Sequence, residues 1–110
     1  MSADIITLNE VLNNGSDIYL YTEELTGCWV AFGYSAYLWS IMGDTRYIAN
    51  FSVKMQMPCV CIAEATFREF IKENVKDATC KDGYYRVSSA SSVNFDAYQN
   101  WVAGLKPNAL

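Results

Sequence analysis

The stretch CWVAFGYSAYLWSIMGDTRYIANFSVKMQMP, residues 28–58, decides how this chain is read. Two alternating runs flank Gly43-Asp44, and glycine at the first central position suits a two-residue type II′ turn. Pairing Met42 with Thr45 sets a hairpin in which Leu38 faces Ala49, Ala36 faces Phe51, Phe32 faces Met55 and Val30 faces Met57. One face is then apolar, as a half-buried sheet requires, whereas a one-residue slip would mix the two faces. The opposite face pairs Trp39 with Ile48, Tyr37 with Asn50, Ser35 with Ser52 and Gly33 with Lys54, and Trp29 lies further along the same side. Ala31, Gly33 and Ser35 leave a shallow trough between the large rings.

Working outward, Asp17 to Glu23 alternates as a strand, and a turn at Glu24-Leu25-Thr26-Gly27 joins it to the long strand. Pairing Glu23 with Cys28 sets Tyr21 against Val30 and Tyr19 against Phe32. Ile18 and Leu20 then lie beside Ala31 and Gly33. Residues 5–13 read as a helix, with Thr7 and Glu10 at capping-box spacing and Asn14-Gly15 as its end. Beyond the hairpin the apolar period changes at Phe67, Phe70 and Ile71, which predicts a helix over 67–76 with Thr66 and Glu69 as its capping pair. Pro58 marks an interruption of the third strand. Lys81-Asp82-Gly83 is a turn, residues 84–89 a short strand, and Ser88–Ser92 a polar connector. Asn94 caps a last helix that stops at Gly104 and Pro107. The fold class is α+β in the order α-β-β-β-α-β-α. It is a three-stranded antiparallel meander plus a fourth strand, packed against two or three helices.

The chain of 110 residues is near the usual size of one domain, so residues 1–110 are read as a single globular domain. Its net charge of −4 and its eight scattered Lys and Arg residues make no basic stripe, which argues against a nucleic-acid role. The opening MSADIITLNE has no basic n-region and no long apolar core, so it does not read as a signal peptide. The apolar run over 28–42 is too short to span a bilayer, so no membrane role is expected. The expected location is cytoplasmic, with reduced thiols.

The four cysteines are the first candidates for chemistry. Cys59 and Cys61 share one strand face, where an extended C-x-C is an awkward zinc chelator and a small apolar filler is favoured. Both are expected as buried, metal-free thiols. Histidine is absent, which removes the commonest general base at neutral pH. Glu64 reads as a strand-end charge, and no phosphate-binding or nucleophile motif is present. The sequence therefore supports no catalytic residue, no metal site and no cofactor.

What remains is the aromatic sheet face: Trp29, Gly33, Tyr37, Trp39, Asn50 and Lys54. Tyr and Trp give large contact area with few rotors, which suits interface anchors. The reading is a small non-catalytic interaction protein that uses this face against a protein partner or a second copy of itself as a homodimer. The alternative is a small-molecule trough on the same face. The third reading is a cysteine- or carboxylate-based enzyme. Against all three stands cover of this face by a helix of the same chain.

Overall fold

The computed structural model describes residues 3–23, 25–42, 45–81 and 83–108. Among them lie four helices and seven strands: α1 (Ala3–Leu12), β1 (Asp17–Glu23), β2 (Cys28–Phe32), α2 (Gly33–Ser40), β3 (Ile48–Ser52), β4 (Met57–Ile62), α3 (Glu64–Glu73), β5 (Ala78–Lys81), β6 (Tyr84–Ser88), α4 (Phe95–Ala103) and β7 (Pro107–Asn108). The strands form one mixed sheet in the order β5-β6-β1-β2-β4-β3-β7. All neighbours are antiparallel except β3 and β7, which run parallel. The α+β class holds, but its arrangement is richer than a meander plus one strand.

The main departure lies in residues 33–40. The expected long strand stops at Phe32, and Gly33–Ser40 forms α2. Gly33 makes the change of direction at φ +58, a conformation that side chains disfavour. The segment is apolar on nearly every side: Ala36, Leu38 and Trp39 are fully enclosed and Tyr37 nearly so. Such a run has no period that separates a buried strand from a buried helix.

The Gly43-Asp44 hairpin therefore does not form as expected. Residues 43 and 44 lie outside the described residues, but β2 and β3 are not neighbours, and β2 pairs with β4 in another register. Phe32 pairs with Cys59, not Met55, and Ala36 is helical. The tight hairpin instead joins β3 to β4 through residues 53–56, where Gln56 takes φ 56. Side-chain parity consequently breaks between Phe51 and Met57. Pro58 sits inside β4 opposite Phe51, and the β2 ladder ends at Cys59, so Pro58 has no donor duty on that side.

Other local signals hold. β1 and β2 pair in the expected register, with Tyr21 opposite Val30 and Glu23 opposite Cys28. The Asn94 side chain accepts a hydrogen bond from the Ala97 N–H and caps α4, which ends at Gly104. α3 begins three residues earlier than expected, after Ala63, so Thr66 is inside it and no side chain caps it. Likewise α1 already runs from Ala3, and Thr7 is interior. β5 and β7 were not foreseen.

The sheet carries cover on both faces. On one, Ile18, Leu20, Trp29, Ala31, Val60, Ile62 and Val87 meet Ala36, Leu38 and Trp39 of α2 and Phe67 of α3. On the other, Tyr19, Tyr21, Val30, Phe32 and Cys59 pack with Ile6 of α1.

Candidate functional site

The expected aromatic surface is interior. Trp29 stacks on Phe67 with centroids 3.7 Å apart and planes 7° apart, and its indole N–H donates to Glu64 Oε2 at 2.6 Å. Glu64 also pairs with Arg68, so the carboxylate singled out in the sequence ties α3 to β2. Trp39 is fully buried and meets Phe70 in an edge-to-face contact, and its indole N–H has no hydrogen-bond partner among the described residues. Tyr37 packs on Tyr98 and Trp101 of α4. Gly33 is buried at the start of α2. Asn50 is half-buried opposite Cys59, on the sheet face away from Trp29, and Lys54 is exposed in the β3–β4 turn. These six residues do not form one surface. Trp29, Gly33, Tyr37 and Trp39 are covered by helices of the same chain, so none of them presents a free face.

Cys59 is buried as expected, and burial pushes its thiol up to about 11. Cys61 is half-buried on the same face and Cys80 is exposed. Among the described residues, no three of His, Cys, Asp and Glu come together as a metal-holding group.

A polar cluster missed in the sequence sits where α1, β1 and α2 meet. α2 follows Phe32, which offers no side-chain cap, so its first N–H groups need partners from elsewhere. Glu10 of α1 supplies one: its Oε1 accepts from the Ser35 N–H at 3.3 Å. Its Oε2 accepts from Ser35 Oγ at 2.6 Å. Ser35 Oγ in turn accepts from the Tyr19 N–H at 2.9 Å. Asn13 donates to the Asp17 carbonyl at 2.8 Å and to Glu10 Oε1 at 3.5 Å, while its own carbonyl accepts from the Gly15 N–H at 2.9 Å. Burial pushes the Glu10 carboxyl up to about 7 against these stabilising hydrogen bonds. No Lys or Arg among the described residues is ion-paired with it; the pairs are Arg46–Glu69, Arg68–Glu64 and Arg86–Asp17.

Beside this cluster opens a cavity of about 350 Å³, lined by Thr7, Glu10, Val11, Asn13, Gly33, Tyr34, Met57 and Tyr98. Tyr34 and Tyr98 meet edge to face at 4.9 Å. Burial, and next the Glu10 charge, push the Tyr98 hydroxyl up to about 12. A second cavity, of about 410 Å³, lies by Ile41, Met42, Phe70 and Ser88–Ser91, and of its charged groups Arg46, Glu69 and Glu73 the first two are joined to each other at 2.6 Å.

The Ser35–Glu10 contact has the spacing of a nucleophile and its base. Ser35 is fully enclosed, however, and its oxygen is committed to Tyr19 and Glu10. It is a structural clamp rather than a reacting group.

An apolar surface stripe lies on the outer side of α1. Ile6 and Glu10 point inward, yet Leu8, Val11 and Leu12 are 57%, 75% and 66% exposed, and Ile5 at their edge is 39% exposed. Positions 8, 11 and 12 fall on one helical stripe. No helix among the described residues is long and apolar enough to cross a membrane. Comparison with protein-family models, curated proteins and solved structures finds no match, so geometry alone carries the functional reading.

Proposed function

We propose that this protein is a non-catalytic interaction module that associates with a second copy of itself through the outer face of α1. The observation that supports it is the stripe of Leu8, Val11 and Leu12 left exposed on the outer side of α1. A contiguous stripe of large aliphatic side chains is a common mark of an interaction surface. Charge favours a self-pair. The stripe carries a single charged residue, the exposed Asp4, at one end of the helix. Two α1 helices packed antiparallel about a two-fold axis would set their aspartates at opposite ends and their leucines together.

The contact is small, since a helix of 10 residues is about 15 Å long, and the expected association is therefore weak and reversible. Its proposed setting is the cytoplasm, where the free thiols of Cys28, Cys59, Cys61 and Cys80 stay reduced.

Sedimentation velocity over a concentration series tests this. The wild type should shift from monomer toward dimer as concentration rises. The Leu8→Glu/Leu12→Glu variant should stay monomeric with an unchanged melting midpoint, because both side chains are exposed. A loss of about tenfold or more in association constant is expected for charges placed in such a stripe. A wild type that is monomeric throughout, or a variant that still dimerises, would remove the self-pairing reading.

A further inference from the structure

We infer that the cavity between α1, α2 and α4 binds a small organic cation, specifically a methylated ammonium group, against Glu10 and the rings of Tyr34 and Tyr98. The site is defined by a charge without a counter-charge. Glu10 is only 9% exposed, and the hydrogen bonds to its carboxylate in this cluster come from neutral donors: the Tyr34 and Ser35 backbone N–H groups, Ser35 Oγ and Asn13 Nδ2. Neutral donors satisfy lone pairs but leave the net charge in place, and a desolvated carboxylate is stabilised most by a cation. Nothing lining the cavity supplies one.

The kind of cation follows from the same inventory. A carboxylate offers about four acceptor positions, and neutral donors, the Tyr34 and Ser35 N–H groups, Ser35 Oγ and Asn13 Nδ2, already hold four. A primary ammonium would bring three N–H donors that need acceptors. A methylated ammonium brings charge and methyl surface instead. The walls suit it: Tyr34 and Tyr98 offer ring surface, Met57 and Val11 offer apolar contact, and cations are drawn to aromatic faces within about 6 Å. Gly33 keeps the carboxylate at the wall, because a Cβ there would fall 2.9 Å from Glu10 Oε1. The cavity of about 350 Å³ has room for a group of this size.

The test is a titration followed by backbone amide NMR at about pH 8, where Glu10, raised to about 7 by burial, is mostly ionised. Choline is the probe and 3,3-dimethylbutan-1-ol, its uncharged isostere, is the control. Choline should give saturable shifts at Gly33, Tyr34 and Tyr98, and the isostere should bind about tenfold more weakly or worse. Glu10→Gln should weaken choline binding by a similar factor. Because Glu10 also caps α2, Tyr98→Leu is the second variant; it leaves that clamp untouched and should also reduce affinity. Equal binding of the two probes, shifts that do not saturate, or full affinity in Tyr98→Leu would overturn the assignment. Running the titration on Leu8→Glu/Leu12→Glu as well separates this result from the self-association reading, since those side chains do not line the cavity.

Discussion

Glu10 does at the residue scale what no neighbouring residue in sequence could have done for α2. In the sequence it pairs with Thr7 as a capping box for its own helix. In the fold it reaches Ser35, 25 positions away, and stands in for the cap that Phe32 cannot provide. The arrangement has a pH signature. The carboxyl is raised from its ordinary 4.5 to about 7 in the folded chain, chiefly by burial. Between those values the native state binds the extra proton, so stability should fall as pH rises. The full effect is at most about 3 kcal/mol, present below the lower value and lost through the upper one. Urea midpoints measured across that interval should show the slope in the wild type and lose most of it in Glu10→Gln. An equal slope in both would mean that Glu10 is not the group responsible.

At the scale of elements, the chain reverses where local chemistry gave little warning. The β3–β4 hairpin turns at residues 53–56 with Gln56 at φ 56, a left-handed conformation in a non-glycine residue. That geometry costs about 1 kcal/mol for an L side chain and more for a β-branched one. Gln56→Gly should therefore hold or raise the thermal midpoint, whereas Gln56→Val should lower stability by about 1 kcal/mol or more. The Gly-Asp pair at 43–44 carried the stronger turn signal, and the hairpin formed elsewhere because α2 had already left the sheet. The cap of α4 shows the opposite case. Asn94 acts on the Ala97 N–H three residues away, and no distant contact competes for it.

At the scale of the whole molecule, β7 closes the sheet by a parallel pairing with β3. The Phe51 N–H donates to the Lys106 carbonyl at 2.8 Å and the Val53 N–H to the Asn108 carbonyl at 2.9 Å. β3 would otherwise be an edge with unpaired groups, a recognised route to unwanted strand addition. Removing residues 105–110 should speed hydrogen exchange at Phe51 and Val53 by about tenfold or more, with little change at Val30 or Val60 in the sheet interior. Unchanged protection at Phe51 and Val53 would show that β7 does not hold this edge.

The sequence by itself determined the α+β class, the β1–β2 register, the Asn94 cap and the placing of Ile18, Leu20, Trp29 and Ala31 on one sheet face. Each rests on interactions spanning a few residues or on simple two-residue alternation. Tertiary structure alone decided that residues 33–40 form a helix, that β4 enters between β2 and β3, and that Trp29, Tyr37 and Trp39 become core rather than surface. A run as apolar as 33–40 satisfies strand and helix patterns equally well, so the choice falls to whichever form buries most area against the rest of the sheet. The same competition left Leu8, Val11 and Leu12 outside and Glu10 inside, which is where the candidate surface and the candidate cation site arise.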